Sequence, residues 1–230
     1  MQSIWCVVPA AGKGTRVGGP LPKQYLPIAG RSLLQLTLER LATHPSIAGL
    51  VVTLAAGDPH WPGLTEVAGK PVRTVDGGLE RYDSVLAGLD GLPPEVAATD
   101  FVLVHDAARP CVRHADISRL IELASRCDGG LLGAPLRDTL KRADEQGHSL
   151  ETEPRDGRWR AFTPQMFRRR ALIEALRQAR ADGVVVSDEA MAMERAGVRP
   201  LLVEGAEDNL KVTTPADFAL AEFILSRAVQ

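Results

Sequence analysis

The stretch PAAGKGTRVGGPLPKQY, residues 9–25, holds four glycines, two alanines and the cations Arg16 and Lys23. Ala10, Ala11, Gly12 and Gly14 have little or no side chain, so the backbone can come close to a ligand. Their N–H groups can form a concave anion site. Arg16 adds a planar fork of donors suited to phosphate oxygens. Lys23 adds a mobile point charge, and Pro20 and Pro22 stiffen the chain leading to it. Two cations beside a backbone nest suit a polyphosphate whose charge grows or shifts during phosphoryl-type transfer. The bland alternative is a surface loop with both cations solvated.

Two better-known glycine loops fit less well. A P-loop needs a glycine, four residues, then Gly-Lys and Ser or Thr. Here Gly12-Lys13 is followed by Gly14, with no upstream glycine at that spacing. A dinucleotide loop needs G-x-G-x-x-G, and the run from Gly12 ends in Val17. Asp58 could bind ribose hydroxyls, but the third glycine is missing.

The surrounding pattern shows what must position this loop. Apolar runs at 3–9, 49–57, 72–78, 100–106 and 129–135 read as strands. Amphipathic runs at 32–45, 81–92 and 115–127 read as helices, with Ser32 a candidate N-cap and Pro45 a candidate stop. Buried strands alternating with helices predict an α/β fold: a mostly parallel twisted sheet with helices on both faces. Sites in such sheets lie beyond the carboxyl ends of the strands. That gathers the opening loop, the glycines after Val75, and HDAARP (105–110).

Residues 137–160 break the pattern. They are polar and charged, with two extended stretches around DEQGH, and predict a projecting β-hairpin arm. A two-stranded ribbon is marginal alone, so it should pack on another subunit; disorder is the rival reading. Beyond it, 164–181 and 187–197 read as helices, 199–205 and 209–213 as strands, and 215–229 as a closing helix.

The 230 residues suit a single domain, 1–230, with the arm at 137–160 inside it. A formal net charge of −2 argues against a general nucleic-acid binder or a basic membrane-surface protein. Any bound anion must be held by local geometry. Cys6, Cys111 and Cys127 match no zinc or redox spacing and read as reduced thiols of a cytoplasmic protein. The N-terminus is too short for a membrane span and lacks the basic residues of a signal peptide.

Read in order, PAAGKGTR…PKQY, VDGGLERYDSV, VHDAARP, RDTLKR, FTPQ, SDEA and DNLKVT resemble the 2-C-methyl-D-erythritol 4-phosphate cytidylyltransferase family. The motifs run from Pro9 to Thr213, nearly the whole chain; the first alone would indicate only the wider nucleotidyltransferase superfamily. The resemblance implies transfer of CMP from CTP to methylerythritol phosphate in the non-mevalonate isoprenoid pathway. It also implies Mg2+ held mostly by the CTP phosphates, with no protein metal ligand assigned, and a homodimer through the arm.

By the same resemblance Arg16, Lys23, Arg155 and Lys211 are the catalytic set. CTP would be held by Ala10, Ala11, Gly12, Gly14, Arg16, Lys23, Gly78, Ser84 and Lys211. The acceptor would be held by Asp106, Arg109, Thr139, Arg155 and Ser187. Asp106 is expected to hold a polyol hydroxyl ahead of a place in the magnesium shell. Ser187 stands where the family commonly has threonine, and either residue could cap the helix that follows. Lys13 has no assigned role. Arg81 and Asp83 are near the base site or are plain helix-surface charge. His105 reads as a hydrogen-bonded structural histidine. The nucleophile is an ionised phosphate oxygen, so no general base is needed. Rival readings are a cytidylyltransferase for another alditol phosphate, a nicotinamide-dependent oxidoreductase, and a silent dimeric nucleotide binder.

Overall fold

A computed structural model describes residues 3–12 and 21–227 of the chain. In chain order the elements are β1 (Ile4–Pro9), a short 3-10 turn at Lys23–Tyr25, β2 (Pro27–Ile28), β3 (Arg31–Ser32), α1 (Leu33–Ala42), β4 (Ile47–Leu54), β5 (Glu66–Val67) and β6 (Lys70–Asp76). Next come α2 (Arg81–Asp90), β7 (Phe101–Val104), α3 (His114–Ala124), β8 (Gly130–Pro135), β9 (Leu140–Ala143) and β10 (Ser149–Glu153). The chain closes with β11 (Trp159–Arg168), α4 (Arg169–Ala181), α5 (Glu189–Arg195), β12 (Leu201–Glu204) and α6 (Pro215–Arg227).

Eight strands form one sheet in the order β12-β8-β11-β7-β1-β4-β6-β5. The pairs β1–β4, β1–β7, β4–β6 and β8–β12 are parallel. β11 is antiparallel to both β7 and β8, and the short β5 to β6. The sheet is therefore mostly parallel, as the apolar runs predict.

β1 shows why both faces need helices. Ile4, Cys6 and Val8 pack with Leu34, Leu38 and Leu41 of α1 and Ile117 and Leu120 of α3. Trp5 and Val7 point the other way, to Val85 and Leu89 of α2 and Leu172 and Leu176 of α4. Successive side chains of a strand leave on opposite faces, so a run of apolar residues demands cover on both. Each such leucine or valine, fully buried, contributes about 1.5–3 kcal/mol relative to exposure. Ser32 caps α1 as expected, its side chain accepting from Gln35 N at 3.1 Å.

The arm is ordered. β9 and β10 pair with each other, antiparallel, in a separate two-stranded sheet. The turn is built on Asp144: its Oδ1 accepts from Gln146 N (2.9 Å) and His148 N (2.8 Å). Gly147 takes the left-handed conformation there, with φ +86°, where a side chain would be strained.

Three sequence expectations need correction. Residues 164–168 belong to β11, not to a helix; α4 starts at Arg169. Met166 packs on one face of the sheet and Phe167 on the other, the alternation of a strand. Residues 209–213 form no strand. Their polar groups go to loops instead: Val212 N donates to Ala108 O (2.8 Å), and Asn209 O accepts from Arg109 Nη1 (2.7 Å). Finally, α5 is capped by Asp188, which accepts from Met191 N at 2.9 Å, and not by Ser187.

Candidate active site

The parallel strands β1, β4, β6 and β7 end on one edge of the sheet. Ala10–Gly12 follow β1, Gly77 and Gly78 follow β6, and His105–Arg109 follow β7. Of these, Ala10–Gly12, Gly78 and Asp106–Ala108 line a solvent-open cleft of about 240 Å³, which Lys23, Gln24, Arg81, Ser84 and Lys211 also line. Arg16 and Gly14 lie outside the described residues.

The glycines after β6 are required by close packing. A β-carbon on Gly77 would sit 2.5 Å from Ala11 Cβ, and one on Gly78 2.2 Å from Asp83 Cβ. Ser84, buried in the first turns of α2, accepts from Gly78 N at 3.2 Å and so fastens this loop to the helix. Glu80 and Asp83 close a reciprocal capping box at the start of α2. On the opposite side Gln24 Nε2 donates to Ala10 O (2.7 Å) and Lys23 Nζ donates to Val212 O (2.6 Å). The cleft wall is thus backbone and small side chains, with lysines at its rim.

Asp106 forms the floor, 6% exposed. Its Oδ1 meets Arg81 at 3.0 Å; its Oδ2 meets Lys211 at 2.9 Å and Arg109 at 3.4 Å. Burial alone would raise its pKa, but the charges of Arg81, Lys211 and Arg109 outweigh that and hold the carboxyl well below the usual range. It is an ionised hub for three cations. Arg81 also grips Glu189, a residue 1% exposed, at 2.6 Å and 3.2 Å. Two carboxylates against three cations leave this cluster with one net positive charge.

His105 is fully buried. Its Nε2 lies 3.0 Å from Arg109 O, and its Nδ1 lies 3.1 Å from Thr163 Oγ1. Since Arg109 O only accepts, Nε2 carries the proton and Nδ1 accepts from the threonine. Thr163 Oγ1 in turn accepts from Asp106 N (3.0 Å). Burial lowers the His105 pKa to about 4, which makes it a neutral strut, not a base at neutral pH. The unfolded imidazole, near 6.5, binds a proton that the folded one refuses. The stability this gives is fully present above about pH 6.5 and declines as pH falls towards about 4. Urea midpoints should therefore drop over that window, and drop less steeply in His105→Gln. Equal slopes in the two proteins would assign the loss to other groups.

β11 ties the two sides of the cleft together. Thr163 O accepts from Asn209 Nδ2 (2.8 Å), fixing the segment that carries Lys211. Two residues on, Gln165 accepts from Ala190 N (2.7 Å) and donates to Asp188 Oδ2 (2.9 Å), fixing the start of α5.

Of the expected site residues, Ala10, Ala11, Gly12, Lys23, Gly78, Ser84, Asp106 and Lys211 line the cleft. Arg109 lies beneath it, on Asp106 and Asn209. Thr139, Arg155 and Ser187 are exposed and do not line it. Arg155 Nη1 donates to Arg137 O at the base of the arm, where Arg137 also pairs with Glu207 at 2.9 Å. Ser187 Oγ lies 3.6 Å from Met191 Sδ. Sequence reasoning missed Glu189, Asn209, Thr163 and Gln165, although each falls inside a quoted motif. It left Arg81 between the base site and surface charge, whereas Arg81 bridges two buried carboxylates.

The family model described as IspD: 2-C-methyl-D-erythritol 4-phosphate cytidylyltransferase matches residues 4–227. The 2-C-methyl-D-erythritol 4-phosphate cytidylyltransferase of Xanthomonas euvesicatoria pv. vesicatoria (strain 85-10) is 61% identical over 225 residues, covering 97% of this chain and 85% of the relative. That of Stenotrophomonas maltophilia (strain K279a) is 60% identical over 227 residues, covering 98% and 97%. The crystal structure of a 4-diphosphocytidyl-2C-methyl-D-erythritol synthase superposes with a TM-score of 0.83 at 35% identity, covering 97% of this chain and all of the other. The Francisella tularensis enzyme gives 0.83 at 30% identity with the same coverage. The family match and these identities extend over nearly the whole chain, which belongs to the 2-C-methyl-D-erythritol 4-phosphate cytidylyltransferase family.

Proposed function

We propose that the chain transfers CMP from CTP to the phosphate of 2-C-methyl-D-erythritol 4-phosphate. The products are 4-diphosphocytidyl-2-C-methyl-D-erythritol and pyrophosphate, and the step belongs to the non-mevalonate isoprenoid pathway. The observation that carries this reading is the cleft itself: a backbone-lined slot with Lys23 and Lys211 at its edge. An acceptor phosphate oxygen attacks the α-phosphorus of CTP. A new P–O bond forms as the α–β anhydride bond breaks, and pyrophosphate leaves with the electron pair. The attacking oxygen is already ionised, so no proton must move.

The two substrates are polyanions that repel each other. Holding them in line is the chief task. Lys23, Lys211 and Arg16 supply fixed positive charge where the transition state gains negative charge, which lowers the barrier more than it tightens ground-state binding. Ala10, Ala11, Gly12, Gly78 and Ser84 line the slot in which the cytosine would lie, where small residues leave less room for a larger base.

Magnesium binds oxygen ligands and usually rests on substrate phosphates with one or two carboxylates. The floor carboxylate, Asp106, is committed to Arg81, Arg109 and Lys211. Among the described residues no group of three His, Cys, Asp or Glu could cage an ion. The donors present fit an ion carried on the triphosphate; when bound, it neutralises phosphate charge there.

Residues 1–230 work as one catalytic unit in this reading, with 137–160 as its arm. The arm of one chain reaches the cleft of a second in a homodimer, where Thr139 and Arg155 grip the acceptor phosphate and Ser187 flanks the polyol, while Arg109 holds Asp106 from beneath. Supporting this, Thr139 and Arg155 are exposed and stand outside their own chain's cleft. The three cysteines are free thiols, which suits the cytoplasm. Among the described residues no helix is long and apolar enough to cross a membrane.

Pyrophosphate release on mixing CTP, magnesium and methylerythritol phosphate tests the reaction. Silence from folded protein, or equal turnover of ribitol phosphate, would sink the assignment. Tight NAD binding without CTP binding would favour an oxidoreductase instead. Arg155→Ala should raise the acceptor KM by about tenfold or more, the scale of one lost charge-assisted contact, while CTP binding holds. Parallel loss of both substrates in calorimetric titrations would assign Arg155 to the nucleotide pocket or to assembly.

A further inference from the structure

We propose that Arg81 is a positioning residue, one that links Glu189 at the start of α5 to Asp106 and so sets the placement of Lys211 in the cleft. The inference rests on the cytidylyl-transfer reading.

Arg81 is the first residue of α2. A cation there is opposed by the positive end of the helix dipole, so local preference does not explain it. Its ion pairs do. Nη1 and Nη2 meet the two oxygens of Glu189 at 2.6 Å and 3.2 Å, and Nε reaches Asp106 Oδ1 at 3.1 Å. This is a two-sided use of a planar fork, which a lysine cannot reproduce. Its donors point at protein carboxylates, although its side chain borders the cleft. Arg81 is therefore built to hold Asp106, not to bind substrate phosphate.

Asp106 passes the constraint on. Its second oxygen accepts from Lys211 Nζ at 2.9 Å. Lys211 sits on a segment without a ladder of its own, and its side chain is 40% exposed. An ammonium has three donors, and among the described residues one is engaged by Asp106. The others remain for a phosphate. The Asp106 carboxylate therefore fixes where that ammonium stands, and Arg81 fixes the carboxylate. The other groups around the hub are Arg109, from the same loop, and neutral His105 behind it. Because Glu189 opens the helix next to Ser187, the same bridge connects the acceptor side of the site to the cation on the phosphate side.

Arg81→Gln alone would strand the buried Glu189 charge and could simply unfold the protein. The informative variant is Arg81→Gln with Glu189→Gln, which removes both charges and leaves a neutral amide at each position. Wild-type pyrophosphate release from CTP and methylerythritol phosphate is measured first; its absence sinks the reaction and not this inference. Given wild-type turnover, the double variant should keep a melting temperature near wild type and a CTP dissociation constant within about threefold. Its kcat should nevertheless fall by roughly ten- to a hundredfold, the scale of a misplaced catalytic group. Arg81→Lys with Glu189 intact should recover only part of that loss. Wild-type kcat in the double variant would show that Arg81 merely neutralises Glu189. Equal weakening of CTP and acceptor binding would show a role in building the pocket. Either result overturns the proposal.

Discussion

Replacing Arg16 by alanine is expected to lower kcat by about two to four powers of ten, or about 3–5 kcal/mol of barrier. The reason is differential. At the α-phosphorus the equatorial oxygens gain charge only as the new bond forms, and the departing pyrophosphate gains more. A guanidinium already in place strengthens its hold as that charge appears and pays no reorganisation cost at that moment. Arg16 lies between Gly12, which lines the cleft, and Lys23, which lines it again. Single-turnover kinetics with saturating CTP would check the effect. A normal kcat with only a raised KM would move Arg16 from transition-state to ground-state binding.

Asp106→Asn should lower stability by about 3–5 kcal/mol, the usual cost of removing one partner from a buried ion cluster. The amide keeps the shape and removes the charge. Arg81, Arg109 and Lys211 would then face one another across a site that had a carboxylate between them. With about 2–4 °C lost per kcal/mol for a chain of this size, calorimetry should show a fall in Tm of about 10 °C. The pH dependence has a definite sign. A depressed carboxylate pKa contributes stability that is present above its unfolded value near 3.9 and is lost as pH falls through the folded one. Because the folded value is held far down, the gap between wild type and variant should stay constant from pH 5 to 8. A Tm shift under about 2 °C would mean that the three cations do not depend on the carboxylate.

The strands that place the cleft were legible because they are continuous apolar runs. β1, β4, β7 and β8 all fall where those runs predict, since burial on both faces leaves no polar alternation to confuse them. β11 was misread because its polar residues, Thr163 and Gln165, are buried for their hydrogen bonds and not for their hydrophobicity. Its end also runs straight into α4 at Arg169 with no glycine or turn residue to mark where the strand stops. The segment at 209–213 looked like a strand because leucine and valine alternate with polar residues, yet both apolar side chains pack against the α6 region of the core. Residue types named Lys23 as chemistry-bearing, and the family resemblance named Lys211 and Asp106. Neither could show that Arg81 and Glu189, 108 positions apart, meet. Long-range ion pairs leave no periodic trace in a sequence.

The placement of Thr163 and Gln165 on one strand makes β11 a ruler. The spacing between these residues gauges how far the Asp106 loop and the start of α5 stand from each other. Deleting a single amino acid between them would slip both halves of the pocket out of alignment together and turn the strand's faces over. Length changes in the gene should therefore be tolerated at the tip of the ribbon around Gly147 and rejected at this gauge, a contrast that a deletion scan could read directly.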